Sequence, residues 1–121
     1  MPVKSLHTAV LKWPERETVL EKAGSWAGTV GRGNEKVVSI RCVGSMADGR
    51  WGFGSDLDIL IEVLSSEKPF EKRGMDFSLP DCDVPVDLSV YTSSELARLR
   101  AEGRRFIREF DRVSIVLYSS Q

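Results

Sequence analysis

The tightest constraint on this chain is the segment Asp56–Val63, which reads Asp-Leu-Asp-Ile-Leu-Ile-Glu-Val. A β-branched and aliphatic run of this length is strand-sized, and side chains two apart along a strand share a face. Leu57, Ile59, Ile61 and Val63 therefore make a core stripe. Asp56 and Asp58 project side by side from the other face, roughly 6 to 7 Å apart at the backbone. Two like charges aimed at one spot repel unless a cation joins them, and hard oxygen donors at this spacing suit Mg²⁺. The competing reading is a pair of solvated acids at the start of a strand.

The rest of the chain supplies what such a strand needs for burial. Pro14-Glu15-Arg16-Glu17 reads as the first turn of a helix whose apolar stripe is Leu11, Val19, Ala23, Trp26 and Val30. Gly31-Arg32-Gly33-Asn34 stops it. Strands are expected over 36–43 and 84–91, and the charged stretch 65–76 is expected to be a short helix or loop. Thr92 or Ser93 caps a final helix with Leu96, Leu99, Phe106 and Phe110 on its apolar face, and Arg112–Tyr118 closes the chain as a strand at a sheet edge. The expected fold is α/β of the α+β type: one domain over residues 1–121, with a small mixed sheet of about four strands and helices packed on it.

Composition excludes several classes. The net charge of −1 argues against nucleic acid as the main ligand, because nucleic-acid-coating proteins carry a clear basic excess. Cys42 and Cys82 lack metal-ligand spacing and are expected as reduced thiols in or near the core, and His7 as a surface residue. No apolar run is long enough to span a bilayer and the N-terminus is not a signal peptide, so a cytoplasmic protein without membrane contact is expected.

Two further features bear on chemistry. Gly44-Ser45 stands where the first strand turns into a helical turn, a place where free backbone N–H groups can cradle phosphate, although plain glycine-serine turns are common. Asp87 points away from Val84, Val86, Leu88 and Val90, and a strand beside Asp56 and Asp58 would bring it to the same ions. Asp81 and Asp83 fall in the preceding turn and are expected to be solvated. Trp51 and Phe53 either pack their loop on the sheet, the expected use, or flank a nucleobase. Arg98, Arg100, Arg104, Arg105 and Arg108 form either a solvated basic edge or a docking face for an acidic partner or RNA.

Gly44-Ser45, ten residues, Asp56-Leu57-Asp58 and a later strand acid together resemble the signature of the DNA polymerase beta nucleotidyltransferase superfamily. The run Phe53-Gly54-Ser55-Asp56-Leu57-Asp58-Ile59-Leu60 is most similar to its minimal branch, the MNT proteins of prokaryotes. The resemblance implies two Mg²⁺ ions, with Asp56 and Asp58 ligating both. Asp87 would ligate the catalytic ion and help deprotonate an attacking hydroxyl. A nucleoside triphosphate, expected to be ATP, would be held at Gly44, Ser45, Arg50 and Ser55, with Ser45 on the terminal phosphates. The resemblance further implies transfer of AMP to a hydroxyl, plausibly on a helical HEPN-type protein partner, as the antitoxin of a toxin–antitoxin pair. A homo-oligomer is left open. The chain departs from the family's Gly-Ser-Arg-Ala-Arg-Gly by carrying Met46 and Asp48 where the arginines stand, and Arg50 is the candidate to compensate. An inactive module that acts by binding its partner is therefore the alternative.

Overall fold

The computed structural model describes residues 13–121, so His7 and Leu11 fall outside it. The elements are α1 (Arg16–Arg32), β1 (Val37–Val43), α2 (Ser45–Asp48), β2 (Leu57–Val63), a 3₁₀ turn (Phe70–Asp76), β3 (Val86–Thr92), α3 (Ser93–Ala101), α4 (Arg105–Arg112) and β4 (Ile115–Ser119). The strands form one mixed sheet in the order β3-β2-β1-β4. β1 runs antiparallel to β2 and β4, and β2 runs parallel to β3.

Each sheet face has its own core. On one, Val19, Ala23 and Ala27 of α1, four residues apart, pack on Val37, Ile40, Cys42, Leu57, Ile59, Ile61 and Val63. On the other, Leu60 is buried beneath Leu96, Ile107 and Phe110 of α3 and α4. β2 is thus covered on both sides, which suits its near-continuous aliphatic run. Truncating a fully buried Ile59 or Ile61 to alanine should cost about 2–5 kcal/mol. Cys42 and Cys82 are buried free thiols, as expected, and burial raises the Cys42 thiol to about 11.

The long α-helix expected after β3 is two helices. Gly103 takes φ +66° between them, and the turn lets α4 fold back with Ile107 and Phe110 against Leu96. Apolar spacing alone runs across this break, because Leu99 and Phe106 are seven residues apart. β3 begins at Val86 rather than at Val84, although Val84 still packs on the core, and the Pro85 carbonyl accepts from Leu57 N–H at 2.9 Å. The segment expected as a helix or loop holds the 3₁₀ turn, and β4 lies at the sheet edge as anticipated.

One buried ion pair fixes the β2–β3 crossover. Arg73, 7% exposed, donates to both Glu95 carboxylate oxygens at 2.6 and 3.0 Å and to the carbonyls of Lys68 and Val90. Glu95 also completes a capping box with Thr92 at the start of α3. The guanidinium holds the Glu95 carboxyl down at about 2. The crossover, β3 and α3 are thereby tied at one point.

Candidate active site

That register decides where the acids stand. Asp58 pairs with Asp87 across the parallel β2–β3 ladder, so both carboxylates leave the same face from neighbouring strands. Asp56 precedes β2 by one residue and is exposed. The Asp58 carboxyl is raised above its ordinary range, first by burial and then by the charges of Asp87 and Asp56, so the three groups feel one another. Among the described residues none of them makes a side-chain hydrogen bond or ion pair. Glu62, on the same face of β2, contrasts with them by accepting a 2.7 Å bond from the Ser93 hydroxyl.

Gly44 is shaped around this group. Its φ of 67° and ψ of −147° belong to a region that is essentially glycine's alone, and a Cβ there would lie 2.4 Å from Asp58 Oδ2. The backbone after β1 therefore approaches the carboxylate as closely as it does only because no side chain intervenes. Ala47 and Asp48 both donate to the Gly44 carbonyl at 3.0 Å, which leaves the N–H groups of Ser45 and Met46 ahead of the first bonded donors of the turn. Arg16 Nε donates to the Met46 carbonyl and steadies the turn from α1.

The remaining expected residues divide. Met46, which replaces the first motif arginine, is fully buried in the α1-side core. Arg50 is committed to Asp48: Nη2 and Nε donate to Oδ2 at 2.6 and 2.8 Å, and its backbone N–H donates to Oδ1 at 3.1 Å. The Asp48 carboxyl is held down by that hydrogen bond. The Ser55 oxygen accepts the Gly52 N–H at 3.0 Å and closes the loop before β2. Trp51 packs against the α1-side core and donates to the Pro14 carbonyl, as expected, whereas Phe53 is 65% exposed and contacts Trp13, with ring centroids 5.1 Å apart, instead of the sheet. Asp81 and Asp83 are exposed, as expected for the turn.

Sequence reasoning passed over one part of this region. Phe106, Glu109, Phe110 and Val113 close a cavity of about 280 Å³ against Val43, Gly44, Asp48 and Arg50. Phe106, on the expected apolar face of the final helix, is 43% exposed. The turn at Gly103 was its only advance signal.

No group of three or more His, Cys, Asp or Glu side chains stands at metal-ligating spacing among the described residues. The carboxylates nonetheless fit a hard divalent cation: they offer oxygen only, they accept no hydrogen bond among the described residues, and Asp58 sits at a backbone approach that only glycine permits. Unneutralised carboxylates repel one another, so their adjacency without closure is the expected arrangement of the protein alone.

The model of the nucleotidyltransferase domain family matches residues 30–115, a span containing Gly44, Asp56, Asp58 and Asp87. The fold matches the crystal structure of a candidate nucleotidyltransferase from Sulfolobus solfataricus, with a TM-score of 0.60 and 19% identity over 91% of this chain and 93% of that one. At that identity the likeness shows the fold alone. No curated protein matches the chain. No helix among the described residues is long and apolar enough to cross a membrane.

Proposed function

The chain belongs to the nucleotidyltransferase domain family, and from that premise we propose that it transfers the nucleotidyl group of a nucleoside triphosphate, AMP from ATP, to a hydroxyl acceptor. Domains of this family generally use a nucleoside triphosphate and a divalent metal. The observation that carries the proposal is the register pairing of Asp58 with Asp87, both without side-chain partners among the described residues, beside a glycine whose missing side chain makes room for the Asp58 carboxylate.

Asp56, Asp58 and Asp87 would hold two Mg²⁺ ions, which neutralise the triphosphate and favour pyrophosphate as a leaving group when bound. Gly44 and the donors of Ser45 and Met46 would receive the terminal phosphates. The acceptor oxygen forms a bond to the α-phosphorus as the α–β bridging P–O bond breaks. Asp87 takes the hydroxyl proton, and pyrophosphate departs with the bridging oxygen. Positioning and electrostatics supply most of the acceleration in such transfers.

The acceptor we propose is a protein hydroxyl. A helical HEPN-type partner in a toxin–antitoxin pair, in the cytoplasm, is the setting that the resemblance to MNT proteins suggests. A second reading has an observation of its own: Arg50 is bound to Asp48, so the cation available to replace the motif arginines is engaged elsewhere. On that reading the domain keeps the fold and acts by binding its partner.

Calorimetric titration with ATP, with and without Mg²⁺, on the wild type and on Asp56→Asn/Asp58→Asn tests the first reading. Magnesium-dependent binding lost in the variant is the expected result. Absence of binding for every nucleoside triphosphate in the wild type would sink it in favour of the binding module.

A further inference from the structure

The acid-bearing face continues away from Asp87 into an exposed aromatic ridge. Tyr91 lies four residues along β3 from Asp87 on the same face, about 13 Å away at strand rise. The Phe70 ring meets it edge-on at 4.9 Å, and Phe106 stacks on its other side at 5.6 Å. Phe70 and Phe106 are 44% and 43% exposed, an unusual outlay of aromatic surface at one place. Phe70, Tyr91, Leu99, Glu95 and Arg98 line a hollow of about 280 Å³ beside this ridge.

Beside Phe70 the exposed Glu71 and Lys72 offset one another, and the excess charge lies on the two helices. Residues 93–112 hold six arginines against four acids in a chain whose net charge is −1. All four acids are engaged: Glu95 with Arg73, Glu102 with Arg104, Glu109 with Arg112 and Asp111 with Arg100. Arg98, Arg105 and Arg108 are exposed and make no ion pair among the described residues. Exposed aromatic anchors with unpaired arginines on the same helices are the composition of a protein-docking surface.

We infer that the Phe70–Tyr91–Phe106 ridge, with Arg98 at its hollow and Arg105 and Arg108 on the helix that carries Phe106, docks an acidic protein segment carrying an apolar anchor, and so presents the hydroxyl acceptor at the Asp87 end of the site. The inference rests on the transfer reading for the site it serves, but the docking itself requires neither metal nor nucleotide.

The test is fluorescence anisotropy with a labelled synthetic peptide of glutamates around a central Phe-Leu pair. A lysine-for-glutamate version and oligouridylate serve as competitors. Wild type should bind the acidic peptide, more weakly as salt rises. Arg98→Glu, on an exposed side chain, and Phe70→Ser should each weaken it about tenfold. Asp56→Asn/Asp58→Asn should bind the peptide as wild type does, and Arg98→Glu should keep its magnesium-dependent ATP binding, so failure of docking and failure of the nucleotide site read separately. The inference is overturned if the acidic peptide does not bind, if the lysine peptide binds equally, or if oligouridylate binds more tightly. Self-association abolished by Phe70→Ser would also overturn it, by assigning the ridge to a second copy of the chain.

Discussion

Replacing Gly44 with alanine separates two costs that the structure places at one residue. Backbone strain is the first: φ 67° and ψ −147° cost a side-chain-bearing residue about 1–3 kcal/mol. For a domain of this size that lowers the melting temperature by about 4–12 °C. Displacement is the second. The new Cβ would stand 2.4 Å from Asp58 Oδ2, the tip of a rotatable side chain, so the carboxylate swings aside with little further loss of stability. That displacement should surface as function instead, as a loss of magnesium-dependent ATP binding of about tenfold or more, since a metal ligand moved from its place is worth at least one such factor. Gly49→Ala is the control: φ is +86° and nothing lies within 4 Å of its Cβ, so it carries strain without touching Asp58. Thermal unfolding and calorimetry on both variants decide the matter. Gly44→Ala with wild-type ATP affinity, or Gly49→Ala losing as much as Gly44→Ala, would refute the role given to the Gly44–Asp58 contact.

Other outcomes follow from the charges. Asp58 is raised by burial, Asp87 and Asp56, so the folded state holds its proton more tightly than the unfolded chain does, and in chelator stability falls as pH rises through the folded Asp58 pKa. Asp87→Asn should therefore raise the melting temperature at neutral pH in chelator and leave it unchanged in strong acid; an equal shift at both would exclude charge repulsion as the cause. Glu95 has the opposite sign: held at about 2 against an ordinary 4.5, it stabilises above pH 4.5, and that contribution is lost as pH falls toward 2. Glu95→Gln should flatten this part of the acid-unfolding curve, and Arg73→Ala, which leaves the partly buried Glu95 carboxylate and the Val90 carbonyl without their donor, should cost about 2 kcal/mol by urea denaturation. Asp48→Asn frees Arg50 and removes a negative charge beside Gly44, so magnesium-dependent ATP affinity should rise about threefold, the scale of one exposed ion pair. An unchanged affinity would mean that Arg50 does not reach the phosphates.

Much of the candidate site's geometry was legible because it rests on short-range periodicity. The two-residue period puts Asp58 opposite in face to Leu57 and Ile59, and Asp87 opposite to Val86 and Leu88, wherever the strands go. The adjacency of Asp58 and Asp87 is another matter: it needs β2 and β3 to be parallel neighbours in that register, which the ladder between segments distant in sequence decides. The engagement of Arg50 by Asp48 was within reach of the sequence, since they stand two positions apart, but composition gives no direction to a side chain.

The chain by itself determined the mixed α and β layers, the strands that carry the acids, the glycine before Ser45 and the buried thiols. Each of these follows from periodicity or from a conformation that only one residue type adopts. Tertiary structure alone decided the break at Gly103, the return of α4 over the acid face, and the meeting of Phe70, Tyr91 and Phe106 from three separate elements. Those depend on which surfaces bury one another, and a pattern repeating along one segment does not record what another segment brings to cover it.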